Sequence, residues 1–223
     1  MEARLSAIER NQVLQYLGYK GGALPEGLAE DLKRCEKTLM ASARPRAVWK
    51  RFALLPDGRL EGTSFTPAGA SIRELLRDCD TVLLMAATLG SEVERIIRRA
   101  QVGRMGDAVI LDACGSAAIE NVCDNLCADL EAAFAPRYLT DRFSPGYGDM
   151  PLTQQAELFR VLDVTRRIGV SLSDSGLMLP QKSVTALLGV SDRPQPRRHR
   201  GCACCNMFEN CAFRKDGKNC GAF

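Results

Sequence analysis

The stretch that decides the fold is RFSPGYGDMPLTQQAELFRVLDVTRRIGVSLSDSGLMLPQKSVTALLGV, residues 142–190. It opens on a polar turn, Arg142-Phe143-Ser144-Pro145-Gly146-Tyr147-Gly148-Asp149, which holds a guanidinium, a phenol and a carboxylate within eight residues. Proline pre-sets φ, and the two glycines permit positive φ or close approach of the backbone to a ligand. Such a loop can set an arginine and an aromatic around a small anionic molecule; a plain surface connection with Arg142 solvated is the other reading of the loop alone. Past Pro151 the apolar positions Leu158, Phe159 and Leu162 predict a helix. Two strand-like runs follow, 168–179 and 182–190, separated at Pro180-Gln181 and expected to pair as an antiparallel hairpin.

Upstream, residues 8–19 read as a short helix, and a second helix starting near Pro25 buries Leu28, Leu32, Cys35 and Leu39 on one face. Residues 46–55 are rich in strand formers, and Pro56-Asp57-Gly58 marks a turn after which 60–65 is expected to return as the partner strand. Residues 71–77 read as a helix and 81–87 as a buried strand. A charged helix is expected from Gly90 to near Gly103. The longest helical stretch, 105–134, carries small residues at Ala113, Gly115, Ser116, Ala117 and Ala118 that allow close packing. The fold class expected is mixed α/β (α+β), a largely antiparallel sheet flanked by helices, with a small Cys-rich C-terminal tail.

A chain of 223 residues holds one domain with a sizeable core, or one domain and an appendage. The net charge of +3 is too small to argue by itself for a nucleic-acid or membrane partner. The N-terminus has no basic-then-apolar signal, and no apolar run approaches the ~20 residues of a membrane span, so a cytoplasmic location is expected. Five cysteines (Cys35, Cys79, Cys114, Cys123, Cys127) are scattered and read as buried thiols; the other five crowd into residues 202–220.

The order Arg142-x-x-Pro145-Gly146-Tyr147-x-x-x-Pro151, a short helix, Ile168-Gly169-Val170-x-Leu172, then Met178-x-Pro180-x-Lys182-Ser183-Val184 closely resembles the activation (reactivation) domain of cobalamin-dependent methionine synthase. It looks most like the stand-alone versions of that domain. The resemblance is strong over residues 105–190 and looser before, where Gln12-Val-Leu-Gln-Tyr-Leu-Gly-Tyr19 is the most similar piece; it does not reach the tail. It implies a twisted, largely antiparallel sheet flanked by helices across residues 1–192. It also implies reactivation of a methionine synthase, or a related corrinoid protein, by S-adenosylmethionine-dependent reductive methylation of cob(II)alamin. The chain would then act as a methyltransferase partner to a cobalamin-bearing subunit and would need an electron donor.

By the same resemblance, Arg142, Pro145, Gly146 and Tyr147 form the S-adenosylmethionine loop, with Tyr147 also facing the corrinoid. Glu120 matches a family glutamate at the same ligand, and Asp124, one turn on, is a weaker match. An early family aspartate has no assigned equivalent among Glu9, Glu30 and Asp31. A tyrosine pair that follows the hairpin in full-length enzymes is replaced here by Gly189-Val-Ser-Asp192.

Residues 193–200 are basic and proline-spaced and read as a linker to a tail, 201–223. There Cys202, Cys205, Cys211 and Cys220 have spacing that could close a zinc site or hold an iron–sulfur cluster, a redox dithiol being the alternative. The sole histidine, His199, lies in the linker, so no nucleophilic triad is in view. From another class, a basic segment beside a C-x-x-C tail also fits a zinc-ribbon module associated with nucleic acid or a docking protein. The short run without interleaved aromatics argues against nucleic acid.

Overall fold

The structure is a computed structural model and describes residues 3–19 and 24–195. In chain order the elements are α1 (Arg10–Tyr16), α2 (Leu28–Ser42), β1 (Arg46–Ala53), α3 (Ala70–Leu75), β2 (Thr81–Thr88), α4 (Ser91–Gly103) and α5 (Met105–Phe134). Then follow β3 (Tyr138–Leu139), α6 (Gln154–Leu162), α7 (Val164–Ile168), β4 (Ser171–Leu172), β5 (Met178–Leu179) and β6 (Ser183–Ser191). The main sheet has the order β1-β2-β6-β3, with every neighbouring pair antiparallel; β4 and β5 make a separate small ribbon.

Strand β2 explains the layering. Its side chains alternate faces, as any strand's must, yet between its terminal threonines it is wholly apolar because both faces of the sheet are covered. Leu83, Met85 and Ala87 point into a core built with α2, α4 and α5; Val82, Leu84 and Ala86 point into a second core with α3, α6 and α7. The 30-residue α5 spans about 45 Å. Of its small residues expected to pack closely, Ala113, Gly115, Ala117 and Ala118 are buried and Ser116 is partly exposed. Gly115 lies under the Lys182 side chain, where an added Cβ would stand 3.0 Å from Lys182 Cε.

The expected fold class is the one observed, but two pairings differ. Residues 60–65 are not a strand. Leu60 makes a single bridge to Leu54 and then turns back on itself through Leu60 N–H to the Phe65 carbonyl at 2.9 Å. Positive φ at Gly58 (82°) and Gly62 (73°) curls this segment, and β1 takes the more apolar β2 as its partner instead. The hairpin expected between 168–179 and 182–190 is also absent. The first run folds on itself as β4–β5, turned at Gly176 (φ 80°) with the Ser173 hydroxyl accepting from Leu177 N–H at 3.0 Å. That frees β6 to pair with β2 on one side and β3 on the other.

Among the described residues no helix is long and apolar enough to cross a membrane. Residues 193–195 of the expected linker are irregular, and the rest of the linker and the cysteine tail lie outside the described residues.

Candidate functional site

The loop after β3 is fastened at both ends. At its start, Phe143 exchanges two backbone hydrogen bonds with Leu187 of β6, at 2.9 and 2.8 Å. At its far end the Asp149 carboxylate accepts from the Ala70 and Ser71 amides of α3, at 2.5 and 2.9 Å. These amides, with the Ser71 side chain, hold the Asp149 carboxyl down at about 2, because they favour its charged form. Between the anchors, Gly146 N–H donates to the Met150 carbonyl and Tyr147 N–H to that of Ser144. Gly146 and Gly148 both take positive φ (91° and 53°), and a Cβ on Gly148 would stand 2.8 Å from the Ser71 hydroxyl. Pro145 is buried beneath the turn, whereas Tyr147 projects outward, its ring edge-on to Phe143 at 6.5 Å.

Arg142 leaves the loop toward α5. One nitrogen of its guanidinium, Nη2, donates to Glu120 Oε2 and to Asp124 Oδ1, both at 2.8 Å. The two acids are one turn apart, so a single arginine reaches both. The other nitrogen, Nη1, is buried and has no hydrogen-bond partner among the described residues. A buried orphaned donor is uncommon and costs of the order of 1–3 kcal/mol. A carboxylate is the kind of acceptor that would satisfy it with a charge-assisted hydrogen bond.

The third wall comes from α1. Tyr16, half-exposed at the end of that helix, has its phenol pushed above the ordinary tyrosine range. Burial contributes most, then the charges of Glu120 and Tyr147, with Arg142 acting the other way. All three sequence-predicted side chains therefore lie within electrostatic reach of Tyr16, a residue that sequence reasoning left inside its family-like N-terminal stretch without a role. The same tyrosine borders a groove of about 330 Å³ along α4 and α5, with Gln101, Met105, Val109, Asp112 and Ser116 on its walls. Two of these wall residues are engaged by Lys182, which bonds Ser116 Oγ at 2.9 Å and Asp112 Oδ1 at 2.8 Å.

Other expectations fall outside this cluster. Asp31 is engaged by Arg34 and Arg104, and Ser183 satisfies itself against Thr88 and the Pro180 carbonyl, as a structural strand residue does. The proposed ligands Cys202, Cys205, Cys211 and Cys220 lie outside the described residues. Among the described residues no three His, Cys, Asp or Glu side chains gather as a metal site. Cys79 and Cys114 are poor nucleophiles, since burial, above all, raises their thiols to about 11 and about 12.

Residues 121–196, about a third of the chain, match the family model described as vitamin B12 dependent methionine synthase, activation domain. Over these residues the chain is homologous to that activation domain. Its fold is similar to a crystal structure of the MetH reactivation domain bound to AdoHcy, with a TM-score of 0.62 at 17% identity over 87% of this chain and 78% of that one. No curated protein matches it in sequence. The family match includes Arg142, Tyr147 and Asp124 and begins one residue after Glu120.

Proposed function

We propose that this activation-domain homologue holds S-adenosylmethionine at Arg142, Glu120 and Asp124 and presents its methyl group to cobalamin carried by a separate corrinoid protein. The observation that carries this reading is the Arg142 guanidinium: Nη2 spans two carboxylates, while Nη1 is buried and unpartnered. The solved structure of similar fold is bound to AdoHcy, the demethylated form of that ligand, which supports the same ligand class here.

The charges match. S-adenosylmethionine carries a carboxylate, an ammonium and a sulfonium, a net single positive charge, and Arg142 with Glu120 and Asp124 presents a net single negative one. Arg142 would turn its free nitrogen to the ligand carboxylate, leaving Glu120 and Asp124 to hold the ammonium and to stabilise the sulfonium. Bound there, the ligand supplies an electrophilic methyl, and the partner's cobalamin, once reduced by one electron from a separate donor, is the acceptor. The chain's own residues contribute placement and charge rather than proton transfer. Tyr147, exposed at the rim of a loop fixed at both ends, is positioned to pack against the incoming corrinoid and exclude water.

Calorimetric titration with S-adenosylmethionine tests this. Wild-type protein binds saturably, and Arg142→Ala weakens binding by more than about tenfold, the equivalent of losing one charge-assisted hydrogen bond. Equal affinity in the two proteins would remove Arg142 from the site.

A further inference from the structure

At the edge of the sheet opposite the Arg142 loop, a second cavity of about 530 Å³ opens between β1, the curled 60–65 segment and α6. That size falls within the roughly 300–1,000 Å³ of small-molecule sites. Its walls are mostly polar and basic. Lys50 enters from β1, Arg59 from the turn before the curl, and Arg160 from the last turn of α6; Phe52 supplies a partly buried aromatic wall.

The counter-charges do not balance these cations. Arg59 has Asp57 at 3.4 Å, and Arg160 pairs with Glu157. Lys50 forms no ion pair among the described residues: its half-buried ammonium donates to the neutral Val161 carbonyl at 2.7 Å. Capping the negative end of α6 accounts for that one bond but leaves the charge uncompensated beside an open cavity. Gly62 and Ser64 line the facing wall, where the Ser64 hydroxyl accepts from Arg160 at 2.8 Å and donates to Glu157 at 3.0 Å. Three cations around a cavity with an aromatic side offer the contacts that a tetrahedral oxyanion attached to a planar group would use.

We propose that this cavity binds a small phosphorylated molecule of mononucleotide size, its phosphate held by Lys50, Arg59 and Arg160 and its planar part against Phe52. The site is separate from the methyl-donor reading and stands without it.

The test is calorimetry in phosphate-free, low-salt buffer with uridine monophosphate, a probe whose base does not copy adenosine. It should bind at least about tenfold more tightly than uridine, and inorganic phosphate should compete with it. Lys50→Gln and, separately, Arg59→Gln should each weaken it about tenfold, leaving S-adenosylmethionine affinity as in wild type. Arg59 is half-exposed and, among the described residues, its side chain pairs only with Asp57, so its variant keeps the fold even where Lys50→Gln loosens α6. Uridine monophosphate binding no better than uridine, or unchanged by Arg59→Gln, overturns the proposal.

Discussion

The Tyr16 phenol reports on the candidate site from inside it. Burial, then the Glu120 and Tyr147 charges, raise its proton affinity, and Arg142 lowers it. Removing the Glu120 charge should therefore lower the Tyr16 midpoint, and removing the Arg142 charge should raise it. Absorbance titration at alkaline pH reads both, with Tyr16→Phe identifying which tyrosine is being followed. A midpoint that does not move in Glu120→Gln would mean that Tyr16 and Glu120 do not share a site. The sign for stability also follows. A group whose folded pKa is raised contributes fully below its unfolded value of about 10 and loses that contribution as pH climbs through the folded one. The turn that carries Arg142 and Tyr147 was legible in the sequence because proline and glycine mark it. Tyr16 was not, because its partners lie more than a hundred residues away and its own helix is ordinary.

At the scale of elements, Asp149 ties the 142–149 loop to a helix that belongs to the second core. Its carboxyl sits at about 2, held there by the Ser71 and Ala70 amides. Because that value is below the ordinary one near 3.9, the tie is fully present above pH ~4 and is lost as pH falls through about 2. Asp149→Ala should accordingly lower stability at pH 6, and the gap from wild type should close as the pH approaches 2. Denaturant melts across that range check it; a gap independent of pH would show that the charge on Asp149 is irrelevant to the tie.

The pairing errors belong to this scale too. Residues 60–65 have strand composition, but Gly58 and Gly62 at positive φ and the Thr63 hydroxyl bonding Phe65 N–H consume the backbone groups that a strand would offer. Likewise the pattern of 168–190 promised two strands and concealed which neighbours they would choose. Register is decided by burial across the sheet, and β2 pairs with β6 from Ser183 to Val190. Helix α5, by contrast, lies where its 30-residue pattern put it, since a helix satisfies its own backbone and needs no distant partner to be read.

On the scale of the whole molecule, the two cores are not independent, because β2 contributes alternate side chains to each. The described region should unfold in one cooperative step. The candidate site draws on α1, α5 and the loop stitched to β6, so a ligand held there bridges elements on that shared sheet and must stabilise the whole. At a concentration one hundred times its Kd, a ligand specific to the folded state adds about 2.7 kcal/mol. For a chain of this size that corresponds to a rise in Tm of roughly 5–10 °C. In Arg142→Ala, with binding weakened more than about tenfold, the same S-adenosylmethionine concentration should yield less than about half that rise. Uridine monophosphate, bound at the opposite edge, should raise Tm equally in the two proteins. A shift by S-adenosylmethionine that survives Arg142→Ala intact would place the methyl donor elsewhere on the molecule. Two separate transitions would show instead that β2 does not couple the cores.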